Sequence, residues 1–232
     1  MPAGVRGDGD VREVERRAAT PLAGAIAGIL FALLFTLSVS IMIATVVEVS
    51  RDTGEWLAGG VERVRFALGL VPFAGLFFLW FIAVARERLG RLEDQFFSTV
   101  FLGSGLLFLA MIFVAAAQAG AIVASYARDP SGFASSTTYA YGRYVIAQVF
   151  SVYAVRMAGI FLISQATLWM RTGVMPKWMA LLTYPLALVL LFVFTQSAWV
   201  VLVFPAWVFL VSTYILVMRI RPASSNARAA GG

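Results

Sequence analysis

A single arginine, Arg156, stands inside a long apolar stretch, near the middle of residues 144–169. If such a stretch crosses a membrane, a charge at its centre costs at least about 2.5–3.5 kcal/mol, so the side chain must face the protein interior, a wet cavity or a partner. None of the 12 acidic residues lies in the middle of an apolar stretch. The nearest, Glu48, lies at the outer end of the first apolar stretch, about 20 Å along the helix axis from the centre of that stretch near Phe35. The guanidinium is therefore expected to bind neutral polar groups, backbone carbonyls, water or an anion.

Neutral polar side chains occur near Arg156 on its own helix and on neighbouring ones. Gln165, nine residues further on, falls on the opposite face of the helix. The predicted intramembrane polar site consists of Arg156, Tyr153, Gln148, Gln118, Ser164 and Ser40. Two interpretations stand side by side. In one, Arg156 binds carbonyls freed by a proline kink near Pro185 and locks the bundle; in the other, it binds an anionic solute or a lipid headgroup.

Several kinds of chemistry lack their usual residues. The chain contains no cysteine and no histidine, which removes disulfides, thiolate or histidine metal sites and histidine-assisted nucleophiles. The one lysine, Lys177, lies at the edge of an apolar stretch, where it serves neither a buried Schiff base nor a Ser–Lys dyad. No nucleotide-binding motif is present. The sequence therefore predicts no catalytic, cofactor-binding or metal-ligating residue and no cofactor, and it favours a protein that is not an enzyme.

Composition indicates the elements that hold these residues. Apolar residues make up 61% and charged residues 13% of the 232 residues, whereas soluble domains are near half apolar and about a quarter charged. Lengths of about 20 residues suit helices that cross a membrane. The sequence predicts an all-α, polytopic transmembrane helix bundle, with a polar tail at 1–20, a six-helix domain at 21–219 and a second tail at 220–232. The six predicted spans are 22–47, 66–85, 99–124, 144–169, 178–194 and 198–218.

Basic residues predict the orientation. Of the 18 basic residues, twelve lie in the two termini and in the connections at 86–95 and 171–177, and five lie on the opposite side. Because positive residues accumulate in cytoplasmic loops, both termini are expected in the cytoplasm. No segment combines a basic stripe with an element that reads nucleic acid, so a nucleic-acid partner is not expected.

The two long loops on the outer side, 48–65 and 125–143, differ in aromatic content. Tyrosines and a phenylalanine cluster in and just after the second loop, at Tyr126, Phe133, Tyr139, Tyr141 and Tyr144. An aromatic belt at the membrane surface is the more ordinary interpretation. A cap over an outward-facing pocket is the alternative.

Small residues predict where helices pack closely. Gly24 and Gly28 form a G-x-x-x-G pair, and the third span is rich in alanine between Ala115 and Ala124. Such faces let helix backbones approach, either within the chain or between chains. A homo- or hetero-oligomer formed through these faces is the expected kind of partner, besides the lipid bilayer.

Two segments carry a resemblance to a known group. Residues 91–97 (RLEDQFF) lead into the apolar 100–107, and residues 171–178 (RTGVMPKW) join spans four and five. Both segments resemble uncharacterised multi-span membrane proteins of actinobacteria, which are classified only as containing domains of unknown function. The resemblance implies a multi-pass protein of the bacterial cytoplasmic (inner) membrane and implies no activity. In the second segment, Gly173 also suits the end of a helix, where a left-handed residue is needed.

These observations predict an integral membrane protein that is a non-catalytic subunit or stabiliser of a membrane assembly. The alternative is a binding or transport protein for a small anionic or amphipathic solute, with Arg156 at the site. A third hypothesis is a membrane enzyme acting on lipid through loop residues such as Asp129.

Overall fold

A computed structural model gives the fold and describes residues 7–47, 55–89, 95–192 and 198–229. Across those ranges the chain is helical and has no β-strand, which confirms the all-α prediction. The helices are α1 (Gly7–Met42), α2 (Glu55–Gly59), α3 (Val61–Leu89), α4 (Gln95–Arg128), α5 (Thr137–Gln148), α6 (Val155–Thr172), α7 (Lys177–Phe192) and α8 (Val203–Ala229). Short π or 3-10 turns join some of them, at Ile43–Val47, Phe133–Ser135, Val149–Ala154 and Ala198–Leu202.

Within the described residues, five helical segments are long and apolar enough to cross a membrane. They are Leu22–Val46, Val61–Glu87, Phe96–Arg128, Thr137–Thr172 and Ala198–Met218. The predicted fifth span corresponds to α7, which has 16 residues. At 1.5 Å per residue it is about 24 Å long, shorter than the hydrocarbon core of about 30 Å. The predicted hairpin tip at 195–197 lies outside the described residues.

The helices extend into both of the predicted outer loops. The loop 48–65 contains α2 and the first turn of α3, and the loop 125–143 contains the end of α4 and the first half of α5. Apolar patterning identifies the part of a helix that suits hydrocarbon. It does not mark the end of the helix, because Ala, Arg and Glu continue a helix well in water.

One end of the bundle, here called the Arg171 end, gathers the beginning of α1 and the end of α8. The Arg171 guanidinium lies 4.6 Å from the centre of the Phe97 ring, which brings the end of α6 to the start of α4. Trp178 packs edge-on against Tyr214, with ring centres 6.0 Å apart. α7 and α8 are therefore antiparallel, and the chain returns to the end from which α7 starts.

The opposite end, here called the Arg143 end, joins α1, α2 and α5. Arg143 Nε donates to the carbonyl of Val46 at 2.8 Å. Trp56 Nε1 donates to the hydroxyl of Tyr139 at 2.7 Å. These contacts hold the segment that follows α1 against α5, the helix that leads into α6.

A layer of phenylalanine rings fills the centre of the bundle. Each of the five long helical segments contributes one ring, and the neighbouring ring centres lie 4.6 to 6.1 Å apart. These rings, all fully buried, are Phe31, Phe78, Phe108, Phe161 and Phe204. Such contacts favour tilted and edge-to-face geometry. They therefore restrict sliding of the helices along their axes as well as the separation between the helices.

The small residues of α1 are used inside the chain. A Cβ at Gly24 would overlap Val84 of α3, and a Cβ at Gly28 would overlap the Ser212 hydroxyl of α8. Ser38 of α1 also donates to a carbonyl of α3, that of Ala67, at 2.7 Å. The G-x-x-x-G pair therefore serves packing within one chain, where close backbone approach needs residues without a side chain.

Candidate functional site

Arg156 lies in the first turn of α6, directly after the π segment Val149–Ala154. Its Nη1 donates to the carbonyl of Val152 at 3.0 Å, and the same carbonyl accepts the backbone N–H of Val155. A π segment offsets the regular helical ladder, which leaves this carbonyl able to take a second donor. A carbonyl that binds Arg156 is therefore on its own helix and belongs to a π segment.

The depth of Arg156 follows from the phenylalanine layer. Phe161 belongs to that layer and lies five residues after Arg156 on the same helix. Five residues correspond to about 7.5 Å along the axis. Arg156 therefore lies on the Arg143 side of the bundle centre, and its side chain is half-buried.

The polar candidates on the same helix do not gather around Arg156. Tyr153 is one turn away, and 56% of its side chain is exposed. Gln148 and Ser164 each lie eight residues from Arg156, in opposite directions, which is about 12 Å along the axis. Gln148 is exposed, and buried Ser164 donates to the carbonyl of Ile160 at 3.0 Å. Tyr153 is thus the member of this set that lies nearest to Arg156 along the helix.

The candidates from other helices are also separated from Arg156. The Gln118 amide nitrogen lies 3.3 Å from the position that a Cβ at Gly142 would take. Gly142 precedes Arg156 by 14 residues, or about 20 Å of helix. Ser40 is half-buried on α1, which packs mainly against α3 and α8, whereas α6 packs mainly against α4 and α7. The six predicted residues therefore do not converge on one pocket.

The aromatic residues near the Arg143 end divide into two groups. Tyr139 is buried and packs edge-on against Phe133, with ring centres 5.8 Å apart. The Arg143 guanidinium lies 5.9 Å from the centre of the Tyr139 ring. Tyr141 and Tyr144 are exposed. Tyr139 thus belongs to a packed cap, while the exposed pair have the position expected of a belt.

Gln165 is a polar residue that the predicted site did not include. Its side chain is 4% exposed, and its Oε1 is buried without a hydrogen-bond partner in the described part of the chain. The sequence signal for it was a lone amide within the apolar stretch of α6. Nothing in the sequence indicates that the neighbouring helices leave this amide oxygen unpaired, because that depends on which side chains face it.

No protein-family model matches this chain, and no curated protein or solved structure is significantly similar to it.

Proposed function

We propose that this chain is an integral protein of the bacterial cytoplasmic membrane that acts as a non-catalytic subunit or stabiliser of a membrane assembly. The main support is the state of Arg156. Its Nη1 donates to a carbonyl of its own helix, whereas Gln148 and Ser164 lie eight residues away in opposite directions and the Gln118 amide lies beside Gly142. A half-buried guanidinium that binds a carbonyl of its own helix stabilises the local structure, whereas a solute site needs polar groups that converge.

We further propose six membrane crossings with both termini in the cytoplasm. The support is the antiparallel arrangement of α6, α7 and α8. Thr167 of α6 and Tyr184 of α7 share a 3.0 Å hydrogen bond, and Trp178 contacts Tyr214. With the connection at 193–197 and the 3-10 turn before α8, the hairpin has enough chain for two crossings. The excess of basic residues favours the Arg171 end as the cytoplasmic one.

A surface for an assembly partner is offered by α4. Ala115 and Ala119 are buried inside the chain, but Ala117, Ala121 and Ala124 are exposed. These three exposed residues recur at intervals of four and three, so they line one face of the helix. Small residues on a face toward lipid allow another helix to pack closely, with van der Waals contact as the driving force.

The proposed role is tested by native mass spectrometry of the protein extracted gently from its own membrane. Wild type is compared with Arg156→Ala and with Arg65→Ala, a matched loss of an exposed arginine that pairs with Glu62. We expect a complex of fixed stoichiometry, with another polypeptide or with further copies of this chain. Both variants should retain it, and Arg156→Ala should differ only in a lower melting temperature.

The alternative is a protein that binds or transports a small anionic or amphipathic solute through Arg156. It would be supported by a small anionic adduct that wild type and Arg65→Ala carry and Arg156→Ala loses. A wild-type protein that travels as a lone chain, with neither partner nor adduct, would contradict the proposed role in an assembly.

A further inference from the structure

A groove lies between α3 and α4 on the surface of the bundle, at the Arg171 end. One face of α3 forms most of its wall, because the α3 residues in it follow the i, i+3, i+4, i+7, i+8 spacing of a single helical face. The groove has a volume of about 380 Å³, within the range of about 300–1,000 Å³ that is usual for ligand sites. Its wall consists of Leu79, Ile82, Ala83, Arg86, Glu87 and Leu102.

The wall changes from apolar to charged along the length of the groove. Leu79 directly follows Phe78 of the phenylalanine layer, and Leu102 of α4 lies six residues before Phe108 of the same layer. Arg86 lies eight residues after Phe78, or about 12 Å along the axis. The hydrocarbon core of a membrane extends about 15 Å to each side of its midplane. With the layer near that midplane, the apolar part of the groove faces acyl chains and the charged part lies close to the lipid phosphates.

The charged part of the groove contains one cation and one anion. Arg86 and Glu87 are both exposed, and their Cα atoms, as those of consecutive residues, are about 3.8 Å apart. Within the described residues, neither side chain forms an ion pair. A single arginine at a membrane surface is common and requires no ligand. A carboxylate beside it in the same groove adds a selective element, because it repels an anionic headgroup and attracts a cationic one.

We propose that this groove binds a phospholipid whose headgroup carries both a phosphate and a primary ammonium group, as in phosphatidylethanolamine. The Arg86 guanidinium donates to the phosphate oxygens, for which its planar fork of N–H donors is suited. The Glu87 carboxylate accepts a hydrogen bond from the ammonium group, which has three donors. One acyl chain lies along Ala83 and Leu102, over the buried side chain of Ile82.

Two other phospholipids differ from this one in a single feature of the headgroup. Phosphatidylcholine has the same phosphate and the same net charge, but its quaternary ammonium group has no N–H to donate. Phosphatidylglycerol has the phosphate and no cation, so the Glu87 carboxylate repels it. The inference rests on the membrane location proposed above, but it depends neither on the role in an assembly nor on which end of the bundle is cytoplasmic.

The test is native mass spectrometry of the purified, delipidated full-length protein in detergent. The three lipids, with identical acyl chains, are added singly at equal concentration. We expect wild type to bind phosphatidylethanolamine about fivefold more tightly than either of the others, the usual worth of one hydrogen bond. Melting temperature gives a second measurement, because a ligand that binds the folded state raises it. Phosphatidylethanolamine should raise it the most.

Three variants connect the preference to the groove. Arg86→Ala should weaken the binding of all three lipids, because all three carry the phosphate. Glu87→Ala should lower the binding of phosphatidylethanolamine to the level of phosphatidylcholine and should strengthen that of phosphatidylglycerol. Ala83→Trp should weaken the binding of every lipid, because the indole fills the apolar part of the groove. All three residues are exposed, so the variants should melt as wild type does without lipid.

Arg63→Ala and Glu62→Ala are the matched controls. Both residues are exposed near the other end of α3, so both variants should bind the lipids as wild type does. Equal binding of the three lipids by wild type, or a preference for phosphatidylglycerol, would overturn the proposal. Unchanged binding of phosphatidylethanolamine by Arg86→Ala or by Glu87→Ala would overturn it as well. Weaker binding by the Arg63→Ala control would do the same, since net charge rather than the groove would then set the affinity.

Discussion

The indole N–H of Trp56 donates to the hydroxyl of Tyr139 across 2.7 Å and joins two segments that are 83 residues apart in sequence. The bond links α2, which follows α1, to α5, which leads into α6. Arg143, one turn after Tyr139, adds a bond to the carbonyl of Val46 in the π turn that follows α1. Two side-chain hydrogen bonds at the Arg143 end thus join segments that are far apart in sequence.

Tyr139→Phe removes the acceptor for Trp56 and keeps the buried ring. We expect a loss of about 1 kcal/mol in the free energy of unfolding, the usual worth of one such hydrogen bond. The measurement is the melting temperature in mild detergent. Tyr141→Phe is the control, because the Tyr141 side chain is exposed, and it should not alter stability. If both variants melt as wild type does, the Trp56–Tyr139 bond does not stabilise the cap.

Gly28→Ala tests the contact between α1 and α8. Because a Cβ at Gly28 would overlap the Ser212 hydroxyl, we expect destabilisation of about 1–3 kcal/mol from overpacking. Ser212→Gly in the same chain should restore much of the loss, since it removes the atom that the new methyl group meets. Gly69→Ala is the matched control, as nothing lies within 4 Å of its Cβ position. A Gly28→Ala variant as stable as wild type would show that the two helices move apart at little cost.

The helical class and the five long apolar helices were predictable because hydrocarbon selects long apolar stretches. Two features of the fold could not be predicted from the sequence. The π segment Val149–Ala154 has no distinctive residue pattern, since its turn differs from its neighbours only in hydrogen bonding. The part of α5 that precedes the predicted start of span four, residues 137–143, was also missed, because residues that continue a helix in water carry no apolar signal.

The candidate site was predictable in part for a related reason. Arg156 can be recognised from the sequence because a charge in an apolar stretch is costly wherever the helix lies. Its surroundings require knowledge of which helices are neighbours and at what depth. Gln118 seemed a plausible partner by its place in a span, yet its amide lies beside Gly142. The pairing of α4 with α5, which decides this, is set by tertiary packing and leaves no local pattern.

Phe204→Ala tests the phenylalanine layer. The Phe204 ring lies within 6.1 Å of the ring centres of Phe31, Phe78, Phe108 and Phe161. Lipid gives no large transfer term, so the expected cost is that of the cavity, about 2 kcal/mol for roughly 100 Å³ of lost side chain. Phe192→Ala is the control, because Phe192 is exposed and should cost less than about 0.5 kcal/mol. Equal melting temperatures for the two variants would contradict a central role for the layer.

The sixth crossing can be tested with single cysteines, because the chain has none of its own. Contact between Trp178 and Tyr214 returns α8 to the Arg171 end whether the α7–α8 hairpin crosses the membrane or only enters it. The accessibility of the predicted hairpin tip therefore distinguishes the two cases. Ser197→Cys, outside the described residues, reports whether the tip is accessible from the outer side. In intact cells, an impermeant maleimide should label Ser197→Cys and Ser131→Cys, which lies between α4 and α5, but should label Val174→Cys only after permeabilisation. A hairpin that enters without crossing would protect Ser197→Cys while leaving the other two results unchanged. Labelling of Val174→Cys from outside would reverse the proposed orientation.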